Sequence, residues 1–154
     1  MKSDKLINEL NKKKNIQTVS TETLDSLDLT EVERNFIKTY RPEKSLIVYG
    51  TLAPDKPNHH VVQHIQGRWQ KGTIRGKLYN EGWGAVQGYP GFKHVGIEEQ
   101  QEINVYVLSS DELVKNWAAL DEFEGEEYRR LLAQFELETG ETGVGFIYAI
   151  NEKK

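Results

Sequence analysis

With 154 residues, 37% hydrophobic content, a net charge of −4 and no cysteine, the chain is sized for one domain with a real core, filled in part by three Trp, seven Tyr and five Phe. The missing cysteines exclude disulfides, thiolate metal sites and a cysteine nucleophile, and the negative charge speaks against nonspecific nucleic-acid binding. No apolar run approaches membrane-spanning length and the N-terminus lacks a signal-peptide core, so the expectation is a soluble, cytoplasmic protein with no membrane or nucleic-acid partner.

Residues 1–44 read as an N-terminal helical extension, polar, charged and without glycine. Leu6, Ile7 and Leu10 mark a short amphipathic helix ahead of Lys12-Lys13-Lys14, a run that reads as a solvated helix face. Thr30-Glu31-Val32-Glu33 is a capping box, in which hydroxyl and carboxylate satisfy each other's backbone N–H groups. It opens a helix through Tyr40 with Val32, Phe36, Ile37 and Tyr40 on the apolar side, and Pro42 ends it. Three roles stay open for this extension: packing on the domain, dimerisation, or a partly mobile arm. The oligomeric state is likewise open.

Residues 45–154 form the second unit and are strand-rich, with candidate strands at 46–49, 72–79, 94–97, 103–108, 130–137 and 144–150. The first, Leu46-Ile47-Val48-Tyr49, breaks at Gly50, where a glycine lets successive N–H groups converge on one anion or carbonyl oxygen. Thr51 adds a hydroxyl and Leu52 returns to the core. The segment has neither the Gly-Lys-Ser/Thr of a P-loop nor a dinucleotide fingerprint. His60 and His64 have helical i,i+4 spacing, with His59 beside them, but no third ligand stands at a fixed distance, and the reading is structural. Residues 80–92 are rich in glycine and aromatics, fitting a pocket rim or a plain crossover, with Trp83, Tyr89 and Phe92 as its candidate aromatic edge. No Gly-x-Ser-x-Gly elbow is present.

Ser109-Ser110-Asp111-Glu112 reads as a helix start with Ser109 as N-cap. At about 100° per residue, Leu113, Trp117, Leu120 and Glu124 share one face, Glu122 points away, and Gly125 ends the helix. A carboxylate is electrostatically out of place at a helix C-terminus. Either Glu124 is a solvated helix end, or it is partly desolvated and poised as a general base. Beyond it, strand alternation sets Tyr128 and Arg130 on one face, and Thr139-Gly140-Glu141-Thr142 turns the last two strands into a hairpin. Arg130 is expected to pair with a carboxylate near the helix end, away from Glu124, the other reading being a substrate ligand. Strands interrupted by one clear helix indicate an α+β fold.

Three segments now occur in a telling order: Tyr49-Gly50-Thr51-Leu52, Gly88-Tyr89-Pro90-Gly91, and Leu120-Asp121-x-Phe123-Glu124-Gly125-x-x-Tyr128-x-Arg130. Together they resemble the gamma-glutamylcyclotransferase-like family, and Pro57-Asn58-His59-His60 with Glu81-Gly82-Trp83-Gly84 is similar to a bacterial subgroup of it. The resemblance runs from Ser45 to Ile150 and implies a small mixed, barrel-like β-sheet with flanking helices. It implies Glu124 as the catalytic acid/base, a Tyr49-Gly50-Thr51-Leu52 loop that holds a gamma-glutamyl moiety, and Tyr128 in the same pocket. The implied reaction converts a gamma-glutamyl peptide or amine to 5-oxoproline plus the free amine, with no metal and no cofactor. Its partner is a small-molecule gamma-glutamyl substrate. Two other readings stay open: a non-catalytic binding module of the same fold, and an amide hydrolase or acyltransferase on a related compound. The exposed acids Glu122, Glu126 and Glu127 are either solvated surface charges or an attraction for a cationic leaving amine.

Overall fold

A computed structural model describes residues 2–13, 15–83, 85 and 88–151; Lys14 of the lysine run and Gly84 of the Glu81-Gly82-Trp83-Gly84 segment lie outside them. The extension forms two helices, α1 (Lys2–Asn11) and α2 (Glu31–Tyr40), joined by short 3-10 turns. The capping box closes as its residues predict. Glu33 N–H donates to the Thr30 hydroxyl at 3.1 Å, and Thr30 N–H to the Glu33 carboxylate at 2.9 Å. Phe36 and Ile37 are buried as expected, but Val32 is 61% exposed, since the inward position of the first turn of α2 is taken by the capping-box Glu33, 5% exposed.

The strands are β1 (Ser45–Val48), β2 (Arg68–Tyr79), β3 (Gly91–Lys93), β4 (Gln101–Ser109), β5 (Tyr128–Leu137) and β6 (Thr142–Ile150), with α3 (Leu113–Glu124) between β4 and β5. Five of them close into a barrel in the order β1, β4, β2, β5, β6 and back to β1. Neighbours are antiparallel except β1 and β6, which run parallel where Leu46 and Ile47 face Phe146 and Ile147. Closure between β2 and β5 requires Gly72, because a Cβ there would lie 2.5 Å from the Glu136 carbonyl oxygen. The expected α+β fold, a small mixed barrel flanked by helices, is therefore present.

Alternation along the strands sends Ile47, Ile74, Val105, Val107, Phe135 and Ile147 into the barrel interior. The opposite faces carry Leu46, Val48, Leu132 and Phe146, which pack with Trp117 and Leu120 of α3. Leu10, Ile16 and Ile37 of the extension join that same cluster, so the two helices of the extension and a turn between them share the core of the barrel unit. Asn11 fastens the extension to β5: its Nδ2 donates to Leu132 O at 3.0 Å, and Leu132 N–H donates to its Oδ1 at 2.8 Å. The side-chain amide thus reproduces a strand partner along an otherwise open stretch of β5 and covers that edge.

Two local expectations differ from the structure. No strand forms at 94–97: β4 occupies the β2 edge up to Gly76, leaving only Lys77, Leu78 and Tyr79 to pair with β3. Ile97 is accordingly in a turn and 78% exposed. Ser109 is not an N-cap but the last residue of β4, paired with both Ser45 and Arg68; Ser110 instead accepts from Glu112 N–H at 3.0 Å, and α3 opens at Leu113. The hairpin joining β5 and β6 forms as expected, with Gly140 at φ 93°.

Candidate active site

The face predicted for α3 is the face that is buried: Leu113, Trp117, Leu120 and Glu124. Gly125 ends the helix at φ 78°, a conformation that other residues rarely adopt, and its N–H returns to Asp121 O at 3.0 Å. The Glu124 carbonyl accepts from Trp83 Nε1 at 2.8 Å. Its carboxylate, only 7% exposed as a residue, meets no hydrogen-bond donor among the described residues. Burial pushes its pKa up to about 7, and the neighbouring charge of Asp121 adds to the rise.

Across the cavity, β1 leaves the barrel and turns. The carbonyls of this turn are tied back into the protein: Gly50 O accepts from Ala53 N–H at 3.1 Å, Thr51 O from Asn58 N–H at 2.9 Å, and Leu52 O from His59 Nδ1 at 2.9 Å. A carbonyl can only accept, so Nδ1 carries the proton in that contact. The N–H groups of Gly50, Thr51 and Leu52 donate to no acceptor among the described residues. Engaged carbonyls and free amides make this loop a donor array for an anion or a carbonyl oxygen.

Glu124, Gly50, Thr51, Leu52, Tyr49, Tyr128, Trp83 and Tyr89 all line one cleft that opens to solvent. Tyr49 contributes its ring but not a free hydroxyl. That group donates to Tyr148 O at 2.6 Å and accepts from Phe92 N–H at 2.9 Å, closing the gap where the β6 edge passes from β1 to β3. Trp83 is more than rim: besides its bond to the Glu124 carbonyl, it stands edge-on to Phe123 and Tyr128 at 5.6 and 5.9 Å. Phe92 is a correction. It is fully buried in the barrel core, against His94 at 5.0 Å, because its place in β3 turns the ring inward instead of toward the rim.

Sequence reasoning did not single out Tyr148, which lines the cleft and donates its hydroxyl to Asp121 Oδ1 at 2.7 Å. It sits in a strand buried on both faces, so no alternation marks it. Arg130 binds Asp121 through Nε at 2.8 Å and Nη2 at 3.1 Å and lies over Trp117 and Phe146, as expected of a partner for a carboxylate other than Glu124. Among the histidines, His64 bonds Asn116 at 3.2 Å while His59 supports the amide loop. No cluster of three or more His, Asp or Glu suited to a metal occurs among the described residues, and none of their helices is long and apolar enough to cross a membrane.

The family model described as gamma-glutamyl cyclotransferase, AIG2-like, matches residues 46–154. The chain belongs to this family. No curated protein matches it. Among solved structures, this cyclotransferase-family chain is similar to YkqA from Bacillus subtilis, with 27% identity and a TM-score of 0.53 over 70% of its length, although it spans only 36% of YkqA. It is also similar to an Arabidopsis thaliana protein, At5g39720.1, at 26% identity and a TM-score of 0.50, covering 71% of this chain and 70% of that one. An AIG2-like protein from Mus musculus shares the fold, at 24% identity and a TM-score of 0.50 over 72% and 79% of the two chains. The family match begins at residue 46, leaving the extension outside it.

Proposed function

We propose that this protein converts a gamma-glutamyl compound to 5-oxoproline and a free amine by intramolecular aminolysis, with Glu124 as general acid/base. The observation that carries the reading is a buried carboxylate with no hydrogen-bond partner among the described residues, facing three amides equally unclaimed among them across one cleft. The substrate supplies its own nucleophile, so the protein must fold it into a ring-like conformer, move protons and hold an oxyanion. Glu124 takes a proton from the α-ammonium, and the freed amine attacks the γ-carbonyl carbon to form the new C–N bond. The amides of Gly50, Thr51 and Leu52 stabilise the resulting oxyanion. As the intermediate collapses, the old C–N bond breaks and Glu124 returns its proton to the leaving amine. Tyr128, beside Trp83, orients the substrate, and Tyr89 borders the leaving group.

Incubation with a panel of gamma-glutamyl peptides and amines, followed by assay of 5-oxoproline, tests this reading. Cyclotransfer releases 5-oxoproline together with the amine, and Glu124→Gln lowers the rate at least about 10²-fold. Glutamate as the product would instead indicate hydrolysis, and binding without product would indicate a non-catalytic module.

A further inference from the structure

Asp121 and Glu124 stand one helical turn apart on α3, close enough for their side chains to interact. Asp121 is not a free surface acid. Arg130 donates to both of its oxygens, at 2.8 and 3.1 Å, and the Tyr148 hydroxyl donates to Oδ1 at 2.7 Å. Arg130 is packed in place: it is 6% exposed and its guanidinium lies 4.4 Å from the Trp117 ring centre and 4.6 Å from that of Phe146. Tyr148 also lines the cleft that holds Glu124, so the clamp supports the site wall from behind.

Resting on the reading of Glu124 as the acid/base, we propose that Asp121 is a positioning residue: clamped by Arg130 and Tyr148, its charge adjusts, on top of burial, the proton exchange at Glu124 from one helical turn away. The groups around Glu124 leave few other candidates. Tyr49 from the end of β1 and Tyr148 from β6 keep their protons, because burial raises both far above the usual phenol range. Tyr128 enters from β5, and Glu126 and Glu127 are exposed beyond the Gly125 turn. Arg129 is directed to the extension, bonding Lys13 O at 3.1 Å. Among the described residues, the charges left to act on Glu124 are Asp121, of like sign, and Arg130, of opposite sign and held on Asp121. Burial remains the larger cause of the elevated Glu124 pKa, with Asp121 the second.

Opposite signs give the test its discrimination. Asp121→Asn removes the like charge and exposes Glu124 to an uncompensated Arg130, which favours the ionised form. Arg130→Met leaves Asp121 uncompensated and favours the protonated form. The Glu124 side-chain carboxyl is followed by 13C NMR across a pH titration, its signal identified by its loss in Glu124→Gln. The midpoint is expected to fall by about one pH unit in Asp121→Asn and to rise by a comparable amount in Arg130→Met. The pH profile of 5-oxoproline release should move with it. Unchanged midpoints, or midpoints moving in the same direction, would overturn the proposal, since a purely structural pair would weaken the fold without opposite shifts. Should either single variant fail to fold, the double variant Asp121→Asn/Arg130→Met leaves no lone buried charge. Its midpoint is expected below that of the wild type, and an unchanged one overturns the proposal. The NMR titration needs no substrate. Opposite midpoint shifts without 5-oxoproline release would therefore support the clamp and tell against the reaction instead.

Discussion

Trp83 holds Glu124 by its backbone rather than by its side chain: the indole Nε1 donates to the Glu124 carbonyl at 2.8 Å, leaving the carboxylate of the same residue free in the cleft. The last carbonyls of a helix have no partner within it, and this contact satisfies one of them with a group from the cleft wall. The end of α3 and the aromatic edge of the cleft are thereby set relative to each other.

Trp83→Phe keeps a ring against Phe123 and Tyr128 but removes that hydrogen bond. On the proposed mechanism the expected outcome is a kcat lower by about 10- to 10²-fold with a smaller change in KM, because displacing the proposed acid/base affects the reacting geometry more than ground-state binding. A rise in KM alone, with kcat retained, would reduce Trp83 to a contact for the substrate.

Glu124 should leave a signature in stability as well as in turnover. Its pKa in the folded protein, about 7, lies above the ordinary value of 4.5, so the folded state binds this proton more tightly than the unfolded state. The stabilisation linked to that proton is present below the ordinary value, declines as pH rises, and is gone above about 7. Glu124→Gln cannot ionise. Relative to the wild type, the variant should gain up to about 3 kcal/mol between pH 5 and pH 8, as measured by urea unfolding at both values. A difference that stays constant with pH would mean that the carboxylate is not desolvated.

Tyr49 has its hydroxyl committed to two backbone groups, Tyr148 O and Phe92 N–H. Tyr49→Phe leaves both without that partner in a buried setting and should lower stability by about 2–4 kcal/mol. KM for a gamma-glutamyl substrate should change little. Thermal unfolding paired with steady-state kinetics separates the two effects, and a large KM change at unaltered stability would return Tyr49 to substrate binding.

Asn11 lies 121 residues from Leu132 in sequence and binds both of its backbone polar groups. Asn11→Ala strands the Leu132 N–H, while the Leu132 carbonyl keeps its contact with His94 Nε2 at 2.9 Å. The expected loss is about 1–3 kcal/mol in a single cooperative unfolding transition, as the extension shares the main core. Two separate transitions, the first alone sensitive to Asn11→Ala, would show the extension to be an independent unit.

Much of the candidate site could be read from local pattern. The helical period placed Glu124 on the face of Leu113, Trp117 and Leu120, and Gly125 marked where that face ends. The apolar run into Gly50 marked the amide loop, while Thr30 with Glu33 and the turn at Gly140 fixed a helix start and a hairpin. Each depends on residues only a few positions apart, whose relation is set by φ/ψ geometry and side-chain period before any distant contact forms.

What tertiary structure alone decided are the relations between distant residues. Phe92 looked like rim because it closes a glycine- and aromatic-rich loop, but pairing with Ala149 commits it to β3 and to the barrel core. Tyr148 has no distinguishing pattern, and only the β5–β6 register, which sets it opposite Arg130, brings its hydroxyl to Asp121. The Asn11 contact required the extension to fold across an edge that β2 leaves unpaired. The physical reason is common to all three. Sequence period specifies which way a side chain points from its own element, whereas its partner depends on how sheet closure and helix packing bury the remaining apolar faces together.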